Sequence, residues 1–327
     1  MADDDIITSG KPTGLPVIAV VVPCYNEEEA LPLSLGRLMD VLDTMARRGL
    51  ASVDSYVLCV NDGSRDNTWK VIADSHRSNP RVKGISLAHN RGHQYALLAG
   101  LMTAMPVCDA AISIDADLQD DPEAMIEMVE KFRDGAEIVY GVRSSRATDT
   151  WFKRNTAHAF YTFQKRMGLD TVYDHADYRL MSARALELLS EYGEGNLFLR
   201  GIIPQIGLET AVVTYERAAR VAGESKYPLS KMLSFSIDGI TSFSSRPLRI
   251  IFFVGVALLI LDVVMGLYVF SAYFGHEAIP GWTSLMLSTW FLGSLILIAL
   301  GVVGEYVGKI FMEVKHRPRF AISKRLM

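Results

Sequence analysis

Short apolar runs alternate with stretches of helical period through the first 145 residues of the chain. Apolar runs that end in polar turn residues predict strands at Val17–Val22, Ser55–Val60, Val82–Leu87, Ala110–Ile114 and Glu137–Tyr140. Apolar positions repeating at helical spacing predict helices at Glu28–Met45, Asn67–Ser78, Gln94–Met105 and Pro122–Phe132. This alternation predicts an α/β domain with a mainly parallel sheet covered on both faces. Ligands of such sheets bind beyond the carboxyl ends of the strands.

The C-terminal third contains two long apolar runs. Ile250–Ala272 carries one charge, Asp262, and Trp282–Gly304 carries none. Each run is long enough to cross a hydrocarbon core of about 30 Å. The intervening Tyr273–Gly281 has no Lys or Arg, whereas basic residues precede the first run and follow Lys309. The positive-inside rule therefore predicts a transmembrane hairpin with both ends in the cytoplasm. The alternative is a pair of buried core helices.

The layout predicted from these patterns has five parts. They are a disordered tail at 1–15, an α/β domain at 16–228, amphipathic interfacial helices at 229–249, the hairpin at 250–308 and a basic cytoplasmic tail at 309–327. The stretch 229–249 could instead pack on the domain. Asp262 is either a functional intramembrane carboxylate or a packing position in a homo-oligomer, and both interpretations stay open.

Composition narrows the classes of partner. Half the residues are apolar, which favours a membrane part. The net charge is −4 and the pI is near 6.0, so nucleic acid is not expected as a partner. Cys24, Cys59 and Cys108 have no metal-ligand spacing and are interpreted as small buried hydrophobes. The chain opens on MADDDIITSG, which is acidic and polar and has no apolar core typical of a secretory signal. The N-terminal domain is therefore expected in the cytoplasm.

The segment DADLQDDP, 115–122, directly follows the predicted strand AAISI. Asp115 and Asp117 can converge on one hard cation, Mg²⁺ or Mn²⁺, which also binds substrate phosphate. Gln119 is two residues further on and could supply a third oxygen. Acidic pairs more often cap helices, and Asp121 before Pro122 does favour a helix start.

Polar clusters also follow the other predicted strands. The first ends in VVPCYNEEE, which has neither the glycine pattern of dinucleotide-binding domains nor a Walker A sequence. It offers a rigid turn at Pro23, an aromatic face at Tyr25 and a carboxylate at Glu27. The second ends in NDGSRDNT, where Asp62 could accept hydrogen bonds from a ribose or base and Asp66 caps the next helix.

The third predicted strand leads into HNRGHQYALLAG. Asn90, Arg91 and Gly92 could approach a nucleotide. His89 and His93 are interpreted as ordinary loop histidines, without a role in catalysis.

Together, PCYNEEE, NDGSRDNT, NRGHQYALLAGL and DADLQDDP occur in the order and spacing of family-two glycosyltransferases with the GT-A fold. The chain most resembles the polyprenyl-phosphate glycosyltransferases related to dolichol-phosphate mannose synthase and the bacterial bactoprenol glucosyltransferases. The similarity continues through DYR at Asp177–Arg179, FLRG at Phe198–Gly201 and RVAGESKYPLSKM at Arg220–Met232. It covers about residues 16 to 320.

The resemblance implies roles for individual residues. The metal would be surrounded by Asp115, Asp117 and Gln119. The donor nucleotide would be held by Pro23, Tyr25, Asn26, Glu27, Asp62, Asn90, Arg91 and Gly92. Phosphate oxygens would be bound by Arg179, Arg200, Arg220, Ser225 and Lys226, although surface solvation is the plain alternative for such basic residues. Asp177 would orient or deprotonate the acceptor, and orientation is expected because a phosphate monoester is already largely a dianion at pH 7.

The implied function is an inverting transfer of a hexose from a nucleotide-sugar, a UDP-sugar being favoured, to polyprenyl (undecaprenyl) phosphate. The reaction would occur on the cytoplasmic face of the cell membrane. One alternative is a catalytically silent membrane scaffold that binds nucleotide-sugar. Another is a processive polysaccharide synthase, but none of the four tryptophans follows the Q-x-x-R pattern of that class. The donor sugar and the oligomeric state stay open.

Overall fold

The computed structural model describes residues 14–117, 119–143, 175–194, 197–216, 281–315 and 317–327, with helical positions between 248 and 267. These residues fall into two compact units. One holds the N-terminal domain together with Pro318–Met327, and the other holds the C-terminal apolar helix. The predicted interfacial helices at 229–249 lie almost wholly outside the described residues, as do Asp262 and nearly all of the tail at 1–15.

The first unit is built on one eight-stranded sheet. Its strands are β1 Ile18–Cys24, β2 Tyr56–Asn61, β3 Val82–Leu87, β4 Ala110–Ser113, β5 Ile138–Arg143, β6 His175–Ser182, β7 Thr210–Tyr215 and β8 Ile322–Leu326. Their order is β7-β5-β6-β4-β1-β2-β3-β8. Strands β4, β1, β2 and β3 are mutually parallel, whereas β6 is antiparallel to both of its neighbours. A mainly parallel, mixed sheet is thus confirmed.

Helices cover this sheet. The helices of this unit are α1 Leu31–Arg47, α2 Thr68–Ser78, α3 His93–Ala104, α4 Ala124–Arg133, α5 Ala183–Glu191 and α6 Leu199–Ile202. The second unit contains α7 Trp282–Val314. Helix α1 buries the face containing Leu31, Leu35, Leu38 and Leu42 that its period predicts. Burying one such side chain contributes about 1.5–3 kcal/mol. The predicted strands and helices of the first 145 residues are therefore confirmed, with ends shifted by at most three residues.

Helix α7 is 33 residues long and runs beyond the predicted second span, to Val314. Its stretch Phe291–Val314 is the one described helix that is long and apolar enough to cross a membrane. The first predicted span, 250–272, lies partly outside the described residues. The two-helix hairpin is therefore not confirmed and stays a prediction.

The segment after α7 contains a strand that the sequence patterns did not predict. Strand β8 pairs antiparallel with β3 and forms one edge of the sheet. Its sequence, ISKRL, is half polar because an edge strand is solvated on more sides than a central one. Leu326 packs against the core cluster and gives the strand its apolar anchor.

Two helical glycines provide a matched test of this packing. In α3 a Cβ on Gly100 would collide with Val21 Cγ1 and lie 2.7 Å from Val60 Cγ2, whereas nothing lies within 4 Å of the Cβ position of Gly36 in α1. We expect Gly36→Ala to raise the free energy of unfolding by about 0.5–1 kcal/mol through helix propensity. Gly100→Ala should instead lower it by about 1–2 kcal/mol because the α3–sheet interface becomes overpacked. Thermal unfolding of both variants checks this, and equal shifts would contradict the packing described.

Candidate active site

The carboxyl ends of the parallel strands β4, β1, β2 and β3 share one edge of the sheet, where the predicted polar clusters meet. The loop after β2 is joined to the loop after β3 through Asp62, which is 3% exposed. Its Oδ1 accepts a hydrogen bond from the Arg91 backbone N–H at 2.7 Å, and its Oδ2 accepts one from Gly92 at 2.8 Å. Burial raises the pKa of Asp62, and these two bonds oppose the rise. In this structure Asp62 thus organises the 90–92 loop.

The two loops approach so closely that a glycine is required between them. Gly63 has a φ of 63°, and an added Cβ would lie 2.6 Å from the Asn90 backbone nitrogen and 2.8 Å from the His89 carbonyl carbon. Gly63 therefore has a left-handed conformation, and the backbone of the 89–90 loop occupies the space that a side chain would need. The loops after β2 and β3 therefore form one interlocked unit.

The loop after β1 is fastened to the loop after β2. The backbone N–H of Asn26 donates to Ser64 Oγ at 3.0 Å, and Asn26 Oδ1 accepts from the Arg65 N–H at 2.9 Å. Asn26 itself has a φ of 56°, a conformation that Asn tolerates better than most residues. The Glu27 backbone N–H donates to Thr68 Oγ1 at 2.9 Å.

These contacts leave an aromatic ring facing the solvent. Tyr25 is 43% exposed, whereas Pro23, two residues earlier, is partly buried. Tyr25 and Asn90 are both in the lining of a cavity of about 500 Å³. This end of the sheet can therefore receive a flat polar ligand.

Asp115 and Asp117 follow β4, and both are partly buried. Burial raises the pKa of Asp115, and the carboxylates of Asp177, Asp120 and Asp117 raise it further, against the opposing effect of His93. A cation would relieve this concentration of negative charge. Gln119 is 6% exposed, and its backbone N–H lies 3.2 Å from Asp117 Oδ1.

Among the described residues, no group of three or more His, Cys, Asp or Glu side chains is arranged to hold a metal ion. Asp115 and Asp117 nevertheless fit one, because Mg²⁺ is usually held by one or two carboxylates, water and substrate phosphate. Their hard oxygen atoms match the preference of Mg²⁺ and Mn²⁺.

The loop that carries these carboxylates is braced from three elements. Ser34 Oγ of α1 donates to the Ala116 carbonyl at 2.5 Å. Tyr178 Oη of β6 donates to the Asp121 carbonyl at 2.9 Å. The Arg143 guanidinium of β5 donates to both oxygens of Asp120, at 3.1 and 3.4 Å. Asp115 and Asp117 are thereby presented on a loop whose position is fixed from outside.

Asp177 of β6 is the most heavily bonded carboxylate in the described part of the site. It is 8% exposed. Arg200 donates to it from Nε and Nη2 at 3.1 Å each, and Arg179 Nη2 lies 2.5 Å from its Oδ1. Gln94 Nε2 donates at 3.4 Å, and His93 Nε2 lies 3.4 Å from Oδ2. Burial alone would raise the pKa of Asp177, but His93, Arg179 and Arg200 hold it well below its usual range.

His93 joins this cluster to the predicted metal carboxylates. Its Nε2 lies 3.4 Å from Asp177 Oδ2 and 3.7 Å from Asp115 Oδ1. Burial would lower the pKa of His93, but the two carboxylates raise it above its ordinary value. An imidazolium at this position links the two carboxylates electrostatically. The interpretation of His93 as an ordinary loop histidine is therefore wrong on position, because α3 begins at this residue and points it into the site.

Sequence reasoning missed four residues that this geometry brings to the site: His93, Gln94, Ser113 and Arg143. Gln94 also accepts a hydrogen bond from the Leu199 N–H at 3.1 Å, and Ser113 Oγ donates to the Asp177 carbonyl at 2.5 Å. His93 and Gln94 could have been found, since they directly follow a polar loop at the end of a parallel strand. Ser113 and Arg143 are the last residues of the apolar strands β4 and β5, and neither stands in a polar cluster that would mark it as a site residue.

Three of the predicted phosphate-binding residues, Arg220, Ser225 and Lys226, lie outside the described residues. The others are at this edge. Buried Arg179, 1% exposed, has an Nε and an Nη1 that make no hydrogen bond within the described part of the chain. The Arg200 side chain is about a third exposed and pairs with the same carboxylate, that of Asp177. Cationic groups and buried donors thus surround Asp177.

Comparisons with known proteins identify the family of this α/β domain. The family described as "Glycosyl transferase family 2" matches residues 19–202. A Bacillus subtilis protein described as an uncharacterized glycosyltransferase, YkoT, is 50% identical over 309 residues, covering 94% of this chain and 91% of that protein. The "SfII prophage-derived bactoprenol glucosyl transferase" of Shigella flexneri is 38% identical, covering 94% and 97%.

Among solved structures, the mannosyl-3-phosphoglycerate synthase of Rubrobacter xylanophilus is 18% identical, with a TM-score of 0.47, covering 72% of this chain and 74% of that one. The α/β domain described above, with its mainly parallel mixed sheet, is GT-A-like. The chain belongs to glycosyl transferase family 2, and it is a glycosyltransferase.

The Asp120–Arg143 pair offers a test of how the carboxylate loop is held. Asp120 is 2% exposed, so Arg143→Met leaves a buried carboxylate without its main cation. We expect a loss of about 3 kcal/mol in the free energy of unfolding, and a smaller loss in the double variant Asp120→Asn with Arg143→Met. Thermal unfolding of the two single variants and the double variant measures the coupling. Additive losses would show that the pair does not brace the loop.

Proposed function

We propose that this glycosyltransferase moves a hexose from a nucleotide-sugar, a UDP-sugar being favoured, to a polyprenyl phosphate at the cytoplasmic face of a membrane, with inversion at the anomeric carbon. The observation that carries the proposal is the contact of His93 with both Asp115 and Asp177. Through it, a carboxylate suited to a metal and a donor diphosphate lies beside a cationic cluster suited to an acceptor phosphate. Donor and acceptor chemistry then meet at one point.

The donor half of the proposal rests on the loops after β1, β2 and β3. Tyr25 offers a ring for stacking, and Asn90 lies in the same cavity lining. Asp115 and Asp117, with Gln119 as a further candidate, would hold Mg²⁺ or Mn²⁺. The bound cation would neutralise charge on the departing nucleoside diphosphate. The residues around it supply the fixed geometry, because the braces on this loop limit its movement.

The acceptor half rests on the charge balance around Asp177. Arg179 and Arg200 carry two positive charges against this one carboxylate, and the buried Arg179 donors have capacity left. Such a cluster favours a phosphate dianion. Because the pKa of Asp177 lies well below its usual range, its carboxylate is a weak proton acceptor. We therefore assign Asp177 the orientation of Arg179, Arg200 and His93 toward the acceptor, and not the removal of a proton.

The lipid acceptor is supported from outside the site. A relative that matches almost end to end is described as a bactoprenol glucosyl transferase. The described apolar stretch Phe291–Val314 is long enough to cross a membrane, and its apolar side chains are exposed. A membrane anchor would hold the site where a polyprenyl phosphate presents its headgroup, and so raise the effective concentration of the acceptor. Arg220, Ser225 and Lys226 are proposed as further phosphate ligands on their sequence pattern alone.

The decisive experiment follows transfer of radiolabelled sugar from a panel of nucleotide-sugars into organic-extractable lipid. It uses membranes containing the full-length protein, with Mg²⁺ or Mn²⁺. We expect label from one donor, lost with EDTA and reduced by roughly 100-fold or more in Asp117→Ala. Asp40→Ala, an exposed carboxylate of α1, is the matched control and should keep full activity. Nucleotide-sugar binding without any lipid label would instead support the catalytically silent scaffold.

The role of Asp177 predicts a particular pH dependence. The lowered pKa of Asp177 means that it stays ionised at pH values where a free aspartate is protonated, and the raised pKa of His93 means that it keeps its proton to a higher pH than an ordinary imidazole. The acidic limb of kcat/KM should therefore follow the second ionisation of the acceptor phosphate, near pH 6. Asp177→Asn should lower kcat/KM by roughly 100-fold and leave that limb in place. An acidic limb that vanishes in Asp177→Asn would identify this carboxylate as the base.

A further inference from the structure

Strand β8 contains an irregularity beside the cavity at the ends of β2 and β3. Ser86 pairs with Lys324 and Leu87 pairs with Ile322, so Ser323 is the extra residue of a β-bulge. Ser323 Oγ donates to the Ser86 carbonyl at 3.0 Å. Bulges are common next to active sites, where they redirect side chains. Here the consecutive residues Ser323 and Lys324 both line the same cavity.

The rest of that cavity comes from the segments assigned to the donor. Its lining includes Tyr25, Arg65, Trp69 and Asn90, and its volume is about 500 Å³. Lys324 Nζ lies 5.9 Å from the centroid of the Trp69 ring. Aromatic rings, amide groups and cations in a cleft of this size suit a nucleoside.

We propose that the C-terminal strand forms one wall of the nucleoside pocket, with Ser323 and Lys324 contacting the nucleobase of the donor. This inference rests on the proposed use of a nucleotide-sugar. It assigns a binding role to a segment that follows the apolar helix in sequence. From its charge alone, this segment is interpreted as a basic tail. The segment is then a part of the transferase domain.

The chemistry of Lys324 gives the pocket a preference. An ammonium group donates hydrogen bonds and accepts none. The proposed contact is at C4 of a pyrimidine or C6 of a purine, where uracil and guanine carry a carbonyl oxygen that accepts from the ammonium, and where cytosine and adenine carry an amine that can only donate. Ser323 Oγ already donates to the Ser86 carbonyl and is left to accept; every nucleobase carries an N–H that it could accept from, so it does not discriminate. Lys324 therefore selects for keto bases, and a nucleoside diphosphate with an amino base should bind more weakly.

The strand contains its own control. Arg325 pairs with Ile85, is exposed and is not in the cavity lining. It has the same charge as Lys324 and lies one residue away. Replacing it removes the same charge from β8 without changing the pocket.

The test is calorimetric binding of UDP, GDP, CDP and ADP with Mn²⁺ to the full-length protein in detergent. We expect Lys324→Met to weaken UDP binding by about tenfold and to reduce the preference for UDP over CDP. Lys324→Arg should restore most of the affinity, and Arg325→Met should stay within about twofold of the wild type. Thermal unfolding of each variant checks that β8 remains in the sheet.

The outcomes separate this inference from the proposed function. If the wild type binds UDP and transfers sugar while Lys324→Met binds UDP equally well, the C-terminal strand is not part of the nucleoside pocket and the inference is overturned. Equal losses in Lys324→Met and Arg325→Met would also overturn it, because they indicate a general charge effect. If the wild type binds no nucleoside diphosphate, the proposed function itself fails.

Discussion

The Asp177 carboxylate is an anion held almost out of contact with water, and the site is arranged around that charge. A buried carboxylate is costly unless it is paired and hydrogen-bonded. Here β6 supplies Arg179, α6 supplies Arg200 and α3 supplies His93 and Gln94. Four side chains from three elements are thus fixed in orientation because one anion requires them. Their arrangement follows from satisfying that charge before any substrate arrives.

The same constraint connects the two halves of the site. His93 can be held between Asp177 and Asp115 only if α3 begins at the edge of the sheet. Asp62 secures this start by binding the N–H groups of Arg91 and Gly92 just before the helix. His93 directly follows Gly92, so the position of β2 is transmitted through Asp62 to the cluster around Asp177. Preorganisation of this kind is how a charged site acts without reorganising during reaction.

The alternating strands and helices of the first 145 residues were predictable because burial imposes a local period that the sequence must carry. Asp115 and Asp117 were singled out because polar clusters also follow the neighbouring strands in the order of a known family, since an acidic pair alone more often caps a helix. Asp177 was found only through family resemblance, since DYR alone carries no chemical pattern. Arg143 and Ser113 were missed because their partners are distant in sequence. Strand β8 was missed because an edge strand with one apolar anchor lacks the alternation on which strand prediction depends.

Strand β8 also changes how the end of the chain is understood. Basic residues after an apolar helix are normally explained by attraction to anionic lipid, and that explanation needs no structure. In β8, however, neighbouring basic residues differ in position, because Lys324 lines the cavity and Arg325 does not. Lipid attraction would treat them alike. A bulge at Ser323 that brings two consecutive residues into the lining of one cavity has no purpose in a solvated tail. It is explained if the strand is part of the binding site, and the apolar helix is then an insertion within the transferase domain and not an appendage after it.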